Sequence, residues 1–99
     1  MPLEVFDATL SNLEKGMQVS TKKQTVIAHN IANANTPGFE PLRFDEILDK
    51  VVKKEGKKSV IIEEEMADLA ENSIKYSAYV KLMSSKLNIL KTVATQGRR

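Results

Sequence analysis

The 99-residue chain contains no cysteine and no tryptophan. Without cysteine there is no disulfide, no thiolate nucleophile and no cysteine-ligated zinc. Histidine occurs once, as His29. With one histidine, neither a His-based zinc site within one chain nor a Ser-His-Asp triad is expected. No Gly-rich phosphate loop is present, and no catalytic constellation can be assembled. The chain is expected to be no enzyme, with no cofactor, no metal and no small-molecule substrate. Aromatic residues make up only 5%, so any core is mostly aliphatic. No apolar run approaches the roughly 18 residues of a membrane span. The opening stretch Met1-Pro2-Leu3-Glu4-Val5-Phe6-Asp7 has two early acids and no basic segment. That is not the pattern of a cleaved secretory signal. The expectation is a cytosolic chain, or one that leaves the cell by a route that does not read such a signal.

A dominant charge is also missing. Fifteen Lys and Arg stand against thirteen Asp and Glu, a formal +2. The signs are interspersed, and the densest basic run, Lys53-Lys54 and Lys57-Lys58, is broken by Glu55 and Gly56. A nucleic-acid binder carries a concentrated basic face.

Glycine and proline are scarce and unevenly placed, which divides the chain into 1–34, 35–62 and 63–99, one structural unit. Both outer segments are helical by period. In the first, Leu3, Phe6, Leu10, Leu13, Met17, Ser20, Gln24, Ile27, Ile31 and Ala34 step by three and four. This is the seam of a coiled coil. In the last, Met66, Leu69, Ser73, Tyr76, Val80, Met83, Leu87, Leu90 and Ala94 do the same. Ala70, Ile74 and Leu82 widen that stripe. Acids lead the second segment (Glu63, Glu64, Glu65, Asp68, Glu71) and lysines follow (Lys75, Lys81, Lys86, Lys91), as a helix dipole favours. Gly97 is a helix stop, with Arg98 and Arg99 beyond it.

The middle is rich in turn signals. In Thr36-Pro37-Gly38-Phe39, Pro presets the second turn position and Gly accepts positive φ at the third, as a type II turn requires. Pro37 drives Thr36 out of the α region, so the first helix should stop near Asn33 to Asn35. Phe44, Ile47, Leu48 and Val51 are spaced for a short helix over about 44–53. Lys53-Lys54-Glu55-Gly56-Lys57-Lys58-Ser59 reads as a solvated loop. Val60-Ile61-Ile62 reads as an extended apolar run. The expected fold is all-α: two long heptad-patterned helices forming a helical hairpin or coiled coil, joined by a turn-rich, partly extended middle. A stripe of about two residues in seven is too narrow for a globular core and suits pairing with other helices. Whether that pairing lies within one chain or between chains is open at this point.

The segment Asn30-Ile31-Ala32-Asn33-Ala34-Asn35-Thr36-Pro37-Gly38-Phe39 closely resembles the N-terminal signature of the axial proteins of the bacterial flagellum, the rod and hook family. In that family the signature follows a heptad-patterned N-terminal helix, and a second heptad segment closes the chain. Lys23 to Ala28, Arg43 to Leu48, and Glu64 to Asn72 followed by Tyr76 are similar to the proximal rod branch. The resemblance implies a structural subunit of the basal-body rod, crossing the periplasm and packing by coiled coils of its terminal helices. It implies as partners other rod proteins, copies of the chain itself, and an adaptor joining the rod to the membrane ring. It implies passage through the flagellar type III export apparatus without signal cleavage. The assembly motif would be Asn30, Ile31, Ala32, Asn33, Asn35, Thr36, Pro37, Gly38 and Phe39, with Phe39 as an aromatic anchor for a neighbour. The alternative is a free-standing helical oligomeric module, suggested for nucleic acid by the basic pI. The spread charge and the lack of interleaved aromatics oppose it.

The remaining candidates have plain readings. His29 should project off the stripe as a surface histidine near a helix end. Glu63-Glu64-Glu65 reads as a solvated first turn. Ser20, Gln24 and Ser73 interrupt the seams, either as mere blemishes or as polar residues that set register or restrain early association.

Overall fold

The computed structural model describes residues 3–96. Gly97, Arg98 and Arg99 lie outside the described residues, as does the side chain of Leu3. Four elements follow in order: α1 (Leu3–Ala32), β1 (Leu42–Asp45), β2 (Lys50–Lys53) and α2 (Ile62–Gln96).

Helix α1 ends where the sequence supplies polar caps. The Asn33 amide donates to His29 O at 3.1 Å, and the Asn33 side chain donates to the same carbonyl at 2.9 Å. Thr36 Oγ1 donates to Asn33 Oδ1 at 3.2 Å. The type II turn follows as expected. Phe39 N donates to Thr36 O at 3.2 Å, and Gly38 has φ of 78°. Only glycine takes that backbone region without strain.

The middle corrects two expectations. The chain is mostly helical but not all-α, and the short helix over 44–53 does not form. Strands β1 and β2 make a two-stranded antiparallel hairpin, with Phe44 opposite Val51 and Arg43 opposite Val52. Lys54 N donates to Pro41 O at 2.9 Å and extends the ladder by one step. The helical spacing misleads because Ile47 and Leu48 sit in the loop between the strands, Ile47 being 95% exposed. Asp45 Oδ1 accepts from Leu48 N at 2.9 Å, a local bond that competes with a helix. Asp49 closes the loop at φ 52°, a left-handed conformation that Asp tolerates better than most residues. The adjacent Val51-Val52 favours a pleated strand.

Helices α1 and α2 pack antiparallel along the molecule. Gly16 faces the Tyr79 ring, Ser20 faces Asn72, and Asn30 faces Glu65. The radius of gyration is 18.4 Å and the extents are 66 × 23 × 15 Å. A compact domain of about 100 residues would have a radius near 13 Å. The chain is therefore a rod of two helices with the strand hairpin on one side. Val26, Ile27 and Phe44 are the buried hydrophobic residues, so the apolar core is confined to the end where the strands sit.

Candidate assembly surface

A buried polar cluster fixes the geometry at that end. Asn30 is fully buried. Its Nδ2 donates to Leu42 O at 2.8 Å, and its Oδ1 accepts from Leu42 N at 2.9 Å. The carboxamide thus pairs with one residue of β1 as a neighbouring strand would. The same Nδ2 donates to Glu65 Oε1. Glu65 is also buried, and its Oε2 accepts from Lys54 Nζ at 2.6 Å. Lys54 reaches Asp68 as well, at 3.6 Å. One network joins α1, β1, α2 and Lys54, the residue that follows β2. No buried side-chain polar atom among the described residues lacks a partner. Burial disfavours the Lys54 ammonium, but the hydrogen bond and charge of Glu65, with help from Asp68, outweigh it and raise its pKa above the ordinary 10.5.

Two plain readings change here. Glu63 and Glu64 are solvated first-turn acids, but Glu65 is not. Within the lysine-rich loop, Lys54 is the residue that turns inward. Ser20 is buried because Asn72 Nδ2 donates to its carbonyl at 2.7 Å, whereas Gln24 and Ser73 are exposed. His29 is exposed near the end of α1, with its ring edge-on to Phe39 at 5.6 Å between centroids.

The strand hairpin is pinned to α1. Lys22 Nζ lies 2.9 Å from Asp49 Oδ1 and 5.4 Å from the Phe44 ring centroid. Lys23 pairs with Glu46. Asp45 has its pKa held below the ordinary 3.8, first by the Leu48 N–H, although some burial opposes this.

The seam residues fall into two sets. On α1, Ile27 is buried, and Phe6, Leu10, Leu13, Met17 and Ile31 are half-buried, as is Ala34 in the turn beyond it. On α2, Leu69 and Met83 are half-buried. Met66, Tyr76, Val80, Leu87 and Leu90 are exposed, between 36% and 51%. Ala70, Ile74, Leu82 and Ala94 are exposed too. The residues that α2 turns toward α1 are the neighbours of the seam: Glu65, Asn72 and Tyr79. At 3.6 residues per turn, the two seams come out on one long face, opposite the side that the strands cover. Thr21, Gln24, Ala28, Ser73, Tyr76 and Ser77 line a shallow groove between the helices on that face.

The motif residues cluster at the elbow beside this face. Asn30 is internal, Asn33 caps α1, and Thr36, Pro37 and Gly38 form an exposed turn. Phe39 is half-buried against His29. A Cβ at Gly38 would meet nothing within 4 Å, so the turn is open to its surroundings. Among the described residues no cluster of His, Asp or Glu could hold a metal ion, and no helix is long and apolar enough to cross a membrane.

Comparison with known proteins agrees with this geometry. Residues 10–39, which hold most of α1 and the turn, match the family described as "Flagella basal body rod protein". That match spans 30 of the 99 residues and makes the chain similar to structural proteins of the flagellar basal body rod. It is similar in particular to the flagellar basal body rod protein FlgB of Bacillus subtilis strain 168. The two are 29% identical over a 129-residue alignment that covers 97% of this chain and 100% of that protein. The alignment is longer than the 99-residue chain, so at least 30 of its positions have no counterpart here.

Proposed function

We propose that the chain is a proximal rod subunit whose open two-helix face packs against neighbouring rod subunits, so that the assembled rod carries the motor's rotation. The observation that carries this is the α2 stripe. Met66, Tyr76, Val80, Leu87 and Leu90 repeat at heptad spacing, yet the chain's own α1 leaves them exposed. Exposed apolar stripes of this length on a soluble chain are burial surfaces for another helix. The elbow Asn30 to Phe39 supports the same reading. Its turn is rigid through the Asn33 and Thr36 bonds and is open on its outer side.

In this reading the partners are other rod proteins, copies of the chain itself, and an adaptor that joins the rod to the membrane ring. The route outward is the flagellar type III export apparatus. The unit acts as one body: the segments 1–34 and 63–99 supply the packing face, and 35–62 sets the angle at which it is presented. Deletion of the coding sequence from the source cells, with complementation by wild type or by Val80→Asp/Leu87→Asp, tests it. Wild type should restore swimming and complete basal bodies, and the double variant should not. Full restoration by the double variant would refute the role given to the stripe.

A further inference from the structure

On the side of the molecule that the strands cover, α1, β1 and α2 surround a cavity of about 290 Å³. That volume is at the small end of the range for ligand sites. Val26, Ile27 and Phe44 line it. They are the buried hydrophobic side chains among the described residues, so the apolar lining is part of the core.

The β1 edge along this cavity carries unused main-chain groups. Lys54 N donates to Pro41 O, which makes these two a hydrogen-bonded pair of the ladder. Bonded and non-bonded pairs alternate between antiparallel strands. Arg43 with Val52 is then the next bonded pair, and Leu42 and Phe44 turn their N–H and C=O away from β2. For Leu42 both groups meet the Asn30 carboxamide. Phe44 is two residues on and presents its groups in the same direction. Among the described residues neither has a hydrogen-bond partner. Phe44 is only 9% exposed, and main-chain groups so sheltered are ordinarily paired. The other edge of the hairpin is different. There Val51 is solvated between the exposed Lys50 and Lys53, which guard an edge against pairing.

The charges that line the cavity are uneven. Lys23, Arg43, Lys54 and Lys75 stand against Asp68 and Glu71. Both acids already face a lysine, Asp68 at 3.6 Å from Lys54 and Glu71 at 3.3 Å from Lys75. Arg43 has Asp45 at 3.4 Å and Lys23 has Glu46, and neither of those acids lines the cavity.

We infer that this cavity is a docking site for a short extended protein segment, an aliphatic residue flanked by acids, which adds to β1 as a strand through the free N–H and C=O of Phe44. Main-chain bonds of this kind give affinity, and alternate side chains give specificity. A residue paired with Phe44 sets its side chain on the Phe44 face of the sheet, over Val26 and Ile27. Its two neighbours face the other way, as Arg43 does, and there acids meet the lining cations. The site uses none of the exposed α2 stripe and stands whether or not the rod-subunit reading holds.

The probe is acetyl-Glu-Leu-Glu-amide, whose symmetry suits either strand direction. It is titrated into the isotope-labelled full chain and followed by NMR. Saturable shifts should centre on the amides of Arg43, Phe44 and Asp45. N-methylation of the peptide leucine removes the N–H that Phe44 O accepts and should weaken binding about tenfold, the size expected for one hydrogen bond. The Arg43→Glu/Lys75→Glu variant should lose the acidic peptide and take acetyl-Lys-Leu-Lys-amide, which wild type should not; that gain also shows that the variant folds. No shift at Phe44 with millimolar peptide, equal binding of the N-methylated peptide, or equal binding of the two charged peptides to wild type would each overturn the inference. Shifts centred on the α2 stripe would overturn it as well.

Discussion

At the residue scale, Asn30 is the most demanding position in the chain. Its carboxamide serves the N–H and C=O of Leu42 and one oxygen of Glu65 at once, with no exposure to water. Asn30→Ala leaves those groups buried without partners and should cost about 3 kcal/mol, seen as a lower urea midpoint by circular dichroism. Gly38→Ala is a different kind of change. Nothing crowds the site, so its cost is the left-handed backbone alone, about 1–2 kcal/mol in the same melt. Lys54 adds a pH dependence. Its folded pKa lies above 10.5 because Glu65 and Asp68 outweigh the burial, so its stabilising contribution is complete below pH 10.5. That contribution is lost as the pH climbs through the folded value. Melts from pH 9 to 12 should show the loss in wild type, and it should be reduced in Lys54→Met.

These residues also mark the limit of what the sequence discloses. Polar residues are read as outward-facing, so the inward turn of Glu65, inside an acidic triplet at a helix start, has no local signature. Its partners Asn30 and Lys54 are 35 and 11 residues away, and only the fold brings them together. The turn at Thr36–Phe39 is different. Its chemistry is local, and proline and glycine determine it before any packing does.

At the element scale, the two long helices follow from period and composition, and the strand hairpin does not. Phe44, Ile47, Leu48 and Val51 satisfy helical spacing, but a loop between strands places two of them in solvent. Strands of four residues are too short for alternation to compete with that pattern. The helix contact itself depends on a small residue. A Cβ at Gly16 would lie 2.6 Å from the Tyr79 ring, so the ring must move for any larger residue to fit. Gly16→Ala gains about 1 kcal/mol of helix propensity and loses about 1–3 kcal/mol to overpacking. It should therefore destabilise wild type by about 1 kcal/mol and stabilise a Tyr79→Ala background by a similar amount. A double-mutant cycle by urea unfolding measures this, and a coupling near zero would place the ring elsewhere.

At the scale of the whole molecule, the chain buries little for its length. Among the described residues its buried hydrophobic side chains are three, all at one end, and the apolar stripe of α2 faces outward. A free-standing module would turn that stripe inward. A subunit of a larger rod has reason to leave it open, because burial is completed by neighbours and the driving force for assembly is the area still exposed. The strand hairpin and the Asn30–Glu65–Lys54 network hold the elbow that orients this stripe. The shape, the stripe and the match to the rod family all describe one object.

The measurement that bears most directly on this is mass spectrometry of intact flagellar basal bodies purified from the source cells. Peptides of this chain should be found together with the other rod proteins. Detection of those proteins without this chain would contradict its role as a rod subunit.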